Sequence, residues 1–156
     1  MDKHYLTPLF APASIAVLAG RADNPESLTS YAQALHPALR AQRFAGSLQF
    51  VDTHTSGTLA DLAQRKSDLA IIALPPAEVP AALEVAGRIG CRAALVLSSG
   101  MDADQAANLK KIARREGLYL LGPNSLGFQR PHLQLNASAA GPLASDGPLA
   151  LVCQSG

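Results

Sequence analysis

Small polar and turn-forming residues gather at Gly122-Pro123-Asn124-Ser125-Leu126-Gly127, directly after an apolar run at residues 118–121. Apolar residues ahead of Gly-Pro-Asn read as a strand feeding a tight loop. Gly122 and Gly127 allow backbone conformations closed to other residues. Pro123 fixes one dihedral and biases Gly122 towards an extended shape. Asn124 and Ser125 then present an amide and a hydroxyl from a rigid loop, which suits either a ligand or an ordinary turn. The other reactive groups do not cluster. His4, His36, His54 and His132 lack a metal spacing such as H-E-x-x-H, and each is expected at the surface or in a loop. Cys91 and Cys153 lie at or beside apolar stretches with no Cys-x-x-Cys, and both are expected to be small buried thiols. Ser98-Ser99-Gly100 is not the G-x-S-x-G of a nucleophile elbow.

The elements that must hold these residues alternate along the chain. Apolar runs at 14–19, 47–51, 68–74, 93–97, 118–121 and 149–153 read as strands. Helical spacing is expected over 26–35, where Pro37 disturbs it, and over 58–65, 76–89 and 104–116. Gly90 and Gly117 supply stops, and Asp102 or Asp104 supplies a start for the last helix. Several strands are apolar on both faces, as when helices cover both sides of a parallel sheet. The fold expected is therefore α/β, a Rossmann-like doubly wound, mainly parallel sheet with helices on both faces and right-handed crossovers. Residues 138–148, rich in Ala, Ser, Gly and Pro, read as an irregular excursion before the last strand. In such a sheet a ligand binds beyond the carboxyl ends of the strands. The loops expected there are Ala19-Gly20-Arg21, Asp52-Thr53, Pro75-Pro76, Ser98-Ser99-Gly100 and Pro123-Asn124-Ser125.

Composition narrows the function classes. At 156 residues the chain is long enough for one domain with a sizeable core. Hydrophobic residues at 48% against charged residues at 16% exclude a disordered chain. With 4% aromatics and no Trp, the core must be filled by Ala, Leu and Val. A net charge of +1 without a basic run argues against nucleic-acid binding through phosphate neutralisation. No apolar window reaches the roughly 18 residues of a membrane span. No signal-peptide pattern opens the chain, so a reducing cytoplasm is the expected setting.

Five ordered segments carry a resemblance. They are Leu9-Phe10-Ala11-Pro12-Ala13-Ser14-Ile15-Ala16-Val17, Asp68-Leu69-Ala70-Ile71-Ile72-Ala73-Leu74-Pro75, the loop Leu121 to Gly127, Leu135-Asn136-Ala137-Ser138, and Leu151-Val152-Cys153-Gln154-Ser155-Gly156. Together they resemble the CoA-binding domain of NDP-forming acyl-CoA synthetases. The same domain occurs in related protein acetyltransferases that fuse a synthetase-like region to a GNAT domain. The resemblance implies CoA or acyl-CoA as ligand, with the diphosphate near the loop after the first strand. It implies a pantetheine arm running past Leu74-Pro75 and Ser98-Gly100, and a thiol near Asn124-Ser125. It also implies that residues 1–156 form a single CoA-binding domain, the N-terminal part of a longer acid–thiol ligase or acetyltransferase. The catalytic groups of both families lie in other domains, so no catalytic residue is expected in this chain.

The chain departs from the family at the phosphate end. The family reads "SIAVIGAS" followed by a second glycine, whereas here Leu18, Ala19, Gly20 and Arg21 fill those places and Thr29 stands near the second glycine. After the second strand the family's "VNP" is replaced by Val51-Asp52-Thr53. A carboxylate about 4 Å from a ribose phosphate costs roughly 1 kcal/mol in water, which Arg21 could offset. Weakened CoA binding is the expectation from these changes. Two alternatives remain open at this point: an NAD-binding domain using Asp52 on the ribose, and a scaffold domain without ligand. The NAD reading lacks the G-x-G-x-x-G fingerprint.

Overall fold

The computed structural model describes residues 4–20, 28–51 and 66–153. The helix expected over 58–65 lies outside them. Five parallel strands form the main sheet: β1 (Ser14–Leu18), β2 (Ser47–Phe50), β3 (Leu69–Ile72), β4 (Ala93–Val96) and β5 (Tyr119–Leu121), in the order β2-β1-β3-β4-β5. The order reverses between β1 and β3, which makes their carboxyl ends the switch point. Registers tie the strands directly, with Ile15 opposite both Leu48 and Leu69, Leu69 opposite Ala93, and Ala93 opposite Tyr119.

Alternation along the three central strands divides the interior into two cores. Ala16, Leu18, Ala70, Ile72, Ala94 and Val96 face helices α3 (Val79–Arg88) and α4 (Ala103–Arg115), meeting Ala82, Leu83, Ala86, Leu109 and Ile112. Ile15, Val17, Leu69, Ile71, Ala93 and Leu95 face the other way, onto Ala32, Leu35 and Leu39 of α2 (Ser30–Arg40) and onto Leu135 and Ala137. Both faces of β3 and β4 are thus dry, so these strands read as unbroken apolar runs. The short helix α1 (Thr7–Phe10) precedes β1. Asp68 fixes the amino end of the sheet, its Oδ2 accepting the N–H groups of Ala13 at 2.7 Å and Ser14 at 3.3 Å.

Two sequence expectations are corrected here, and one element is added. The second helix is not cut at residue 35 but runs to Arg40 through Pro37. Pro37 lies on its exposed face and forfeits one backbone bond, while Ala32, Leu35, His36 and Leu39 bury the opposite face. Burial outweighs the proline cost here. Residues 149–153 form no strand. Leu149 is 96% and Val152 95% exposed, and no described strand lies beside them to pair. A hairpin that the sequence did not suggest follows β5 instead: β6 (Gly127–Arg130) and β7 (Leu135–Ser138), antiparallel, packed over α2. The Arg130 guanidinium pins this hairpin to α1 by donating to the Phe10 carbonyl at 2.7 Å.

The two thiols differ, and Cys153 is exposed rather than buried. Burial, with a smaller push from the Asp68 charge, raises the Cys91 thiol from an ordinary 9.0 to about 12. The native state therefore holds that proton above the pH at which the unfolded chain releases it. The stabilisation is complete below pH 9.0 and is lost as pH climbs towards about 12. In the native protein at about pH 8, a thiol reagent is expected to modify Cys153 promptly and Cys91 only after denaturant is added. Reaction of both thiols in the native state would contradict the burial of Cys91.

Candidate functional site

Since the strands of the main sheet run parallel, the chain leaves each of them at the same edge. Ala19 and Gly20 follow β1, Leu74 and Pro75 follow β3, Ser98, Ser99 and Gly100 follow β4, and Pro123, Asn124 and Ser125 follow β5. Ten of the expected site residues thus share one rim. Arg21 and Asp52 lie outside the described residues. The rim residues fall into two groups. Ala19, Leu74 and Ser98 are buried and contribute shape and backbone, whereas Gly20, Pro75, Ser99, Gly100, Pro123, Asn124 and Ser125 are accessible in part or in full.

Hydrogen bonds run along the rim from loop to loop. The Thr29 hydroxyl donates to the Ala73 carbonyl at 2.9 Å and accepts the Ala32 N–H at 3.1 Å. The residue near the family's second glycine is therefore the N-cap of α2 and a strut to the loop after β3. The Ser98 hydroxyl donates to the Leu74 carbonyl at 2.6 Å, and the Ser98 carbonyl accepts the Asn124 N–H at 2.9 Å. Ser98 consequently joins the loops after β3, β4 and β5. Its hydroxyl proton is committed to that tie and the residue is buried, so it shapes the rim rather than facing a ligand. The Ser125 hydroxyl accepts the Gly127 N–H at 3.1 Å, closing the turn into β6.

Two glycines are demanded by the geometry. Gly20 has φ +70°, and a Cβ there would sit 2.9 Å from Leu28 Cδ2. A single glycine makes the sharp exit from β1 that the displaced motif left in question. Gly122 is not extended as Pro123 suggested. It has φ +101°, is followed by a cis bond to Pro123, and passes so close to β4 that a Cβ would overlap the Val96 carbonyl oxygen.

His36 was expected at the surface but is buried, its ring stacked 5.1 Å from that of Phe50. Its spacing with Ala32, Leu35 and Leu39 was the signal that could have found it, since all four lie on one helical face. A cavity of about 250 Å³ lined by His4, Tyr5, Thr7, Pro8, Asp68 and Arg92 lies elsewhere. Asp68 and Arg92 precede β3 and β4, so this cavity is at the amino edge, away from the rim. Among the described residues no group of His, Cys, Asp and Glu could hold a metal, and no helix is long and apolar enough to cross a membrane.

A doubly wound sheet with its loops gathered at the switch point is the architecture of nucleotide-type cofactor domains. The family model described as "CoA binding domain" matches residues 47–131, more than half of the chain. The chain belongs to that family. It is 33% identical over 93 residues to acetate–CoA ligase (ADP-forming) of Methanocaldococcus jannaschii, covering 57% of this chain and 13% of that protein. It is 35% identical over 96 residues to the alpha subunit of acetate–CoA ligase (ADP-forming) I of Pyrococcus furiosus, covering 57% of this chain and 21% of that one. The chain thus spans a small part of these curated relatives. Among solved structures, it is similar to the dinucleotide-forming acetyl-coenzyme A synthetase 1 of Ca. Korarchaeum cryptofilum in complex with phosphate and ADP. The TM-score is 0.73 at 24% identity, over 87% of this chain and 31% of that chain. PH0766 of Pyrococcus horikoshii OT3 gives 0.75 at 23%, over 91% and 34%. At these identities the structural likeness is one of fold.

Proposed function

We propose that this chain holds CoA or acyl-CoA across the carboxyl rim, as the CoA-binding part of a longer ADP-forming acid–thiol ligase. A synthetase-like acetyltransferase is the alternative parent. The observation that carries the reading is the gathering of ten expected residues on one edge, in a chain of this family. The diphosphate would lie against the exit from β1, where Gly20 offers backbone without a Cβ. The pantetheine arm would pass Pro75, Ser99 and Gly100, where a Cβ at Gly100 would meet nothing within 4 Å and space is open. The thiol would end near Asn124 and Ser125, both accessible small polar residues. The role proposed for the rim is binding and orientation. Arg21 stands as a further contact to the phosphorylated ribose, offsetting the like charge of the Asp52 carboxylate.

The test is a thermal-shift and calorimetric series with CoA, acetyl-CoA, NAD and ATP. CoA at a hundredfold excess over Kd adds about 2.7 kcal/mol of stability, a rise in Tm of roughly 5–10 °C for a domain of this size. A shift with NAD in place of CoA would make this a dinucleotide domain. Indifference to all four would make it a scaffold.

A further inference from the structure

His36 is 6% exposed, and its Nε2 lies 3.3 Å from the Ala19 carbonyl oxygen. A carbonyl oxygen only accepts, so the ring proton of this contact sits on Nε2. The other ring nitrogen, Nδ1, is buried with no hydrogen-bond partner. One face of the ring stacks on Phe50, and Arg40, one helical turn further on, lies over the same Phe50 ring at 4.7 Å. A leucine would fill this space without an orphaned nitrogen, which is the unfavourable part of placing a histidine here. What the histidine supplies and the leucine lacks is the donor aimed at Ala19.

That donor acts on a peptide plane at the rim. In a trans peptide the carbonyl and the following N–H point in opposite directions. Holding the Ala19 oxygen towards α2 therefore turns the Gly20 N–H away from α2. Gly20, at φ +70°, then carries the chain out of the sheet. Among the described loop residues no backbone carbonyl accepts the Gly20 N–H. The result is a backbone donor of set direction at the carboxyl end of the strand beside the switch point.

We propose that His36 is a positioning residue of the CoA site. It locks the Ala19–Gly20 peptide so that the Gly20 N–H is presented to the diphosphate of the ligand. The proposal rests on the CoA reading above and adds a residue that does not itself touch the ligand. It concerns one hydrogen bond from a neutral N–H to a charged oxygen, the kind whose loss changes affinity by about tenfold or more.

The experiment compares the whole chain with His36→Leu and His36→Gln in titrations with CoA, dephospho-CoA and pantetheine. The glutamine amide places an N–H near the position of Nε2. His36→Leu is expected to weaken CoA and dephospho-CoA alike by about tenfold or more, and to leave pantetheine, which has no diphosphate, unchanged. His36→Gln is expected to restore most of the loss. A general loosening of the fold would weaken all three ligands and would not be rescued, and that pattern overturns the proposal. So does a His36→Leu protein that binds CoA like the parent. If the parent itself binds no CoA, the CoA reading fails and this inference with it. Heteronuclear NMR of the unmutated chain covers the case in which His36→Leu does not fold. CoA is expected to move the Gly20 amide resonance strongly, with His36 in the Nε2–H form; an unmoved Gly20 amide, or the opposite tautomer, overturns the assignment.

Discussion

Replacing Gly122 with alanine is expected to remove roughly 3–5 kcal/mol of stability, by adding backbone strain to a steric overlap. The backbone at Gly122 has φ +101°, outside the range that a Cβ tolerates, and the new methyl would overlap the Val96 carbonyl oxygen in the neighbouring strand. Neither atom is at the end of a flexible side chain, so β4 and the loop would have to separate. Gly100→Ala is the control. Gly100 also has a positive φ, +80°, but a Cβ there meets nothing within 4 Å, so only the conformational cost of about 1 kcal/mol applies. Calorimetry should show Tm falling by about ten degrees or more for Gly122→Ala and a few degrees for Gly100→Ala. Equal losses would mean that the close approach to Val96 contributes nothing. Because Asn124 is bonded to the Ser98 carbonyl, Gly122→Ala should also weaken CoA binding if the thiol end lies there as proposed.

Leu95→Ala is expected to cost about 3–5 kcal/mol. Leu95 is completely buried in the middle of β4, between β3 and β5, in the core that α2 and the β6–β7 hairpin cover. Its neighbours in the strand are Ala93, Ala94 and Val96, and the chain has no Trp to spread into a vacancy. A core of small residues leaves little material to collapse into the space, which puts the loss in the upper part of the usual range. Leu126→Ala, at a leucine 56% exposed beside the rim, should change stability by less than about 0.5 kcal/mol. Urea unfolding of the two variants separates the cases, and a loss below about 1.5 kcal/mol for Leu95→Ala would show that the site collapses freely.

Much of the sheet was legible because β3 and β4 are dry on both sides, and a short apolar run admits few other readings. The start of α4 was legible as well. Asp102 accepts the Gln105 N–H at 2.7 Å and the Gln105 side chain returns the bond, a local arrangement written in two residues three places apart. The rim followed from topology alone, because parallel strands must leave at one edge. What local sequence could not carry depended on distant partners. Residues 149–153 have strand-like composition, but a strand needs a neighbour. The β6–β7 hairpin hid behind polar residues such as Gln129, Arg130 and Asn136. Its connection runs through Pro131–Leu133 and a left-handed Gln134 in place of the usual Asn-Gly turn. Pro37 was read as a stop because its cost is local and the compensating burial is not. Ser98 was placed correctly at the edge, yet its role as a tie emerges only once Leu74 and Asn124 are brought beside it.

That tie has a thermodynamic consequence. With one serine fastening three loops, and Thr29 bracing a fourth segment against Ala73, the landing sites for an elongated molecule are spaced before it arrives. Little freedom is left in these described loops to surrender on association, so contacts made there should lean on enthalpy and leave the loops after β3, β4 and β5 nearly superimposable between free and loaded forms.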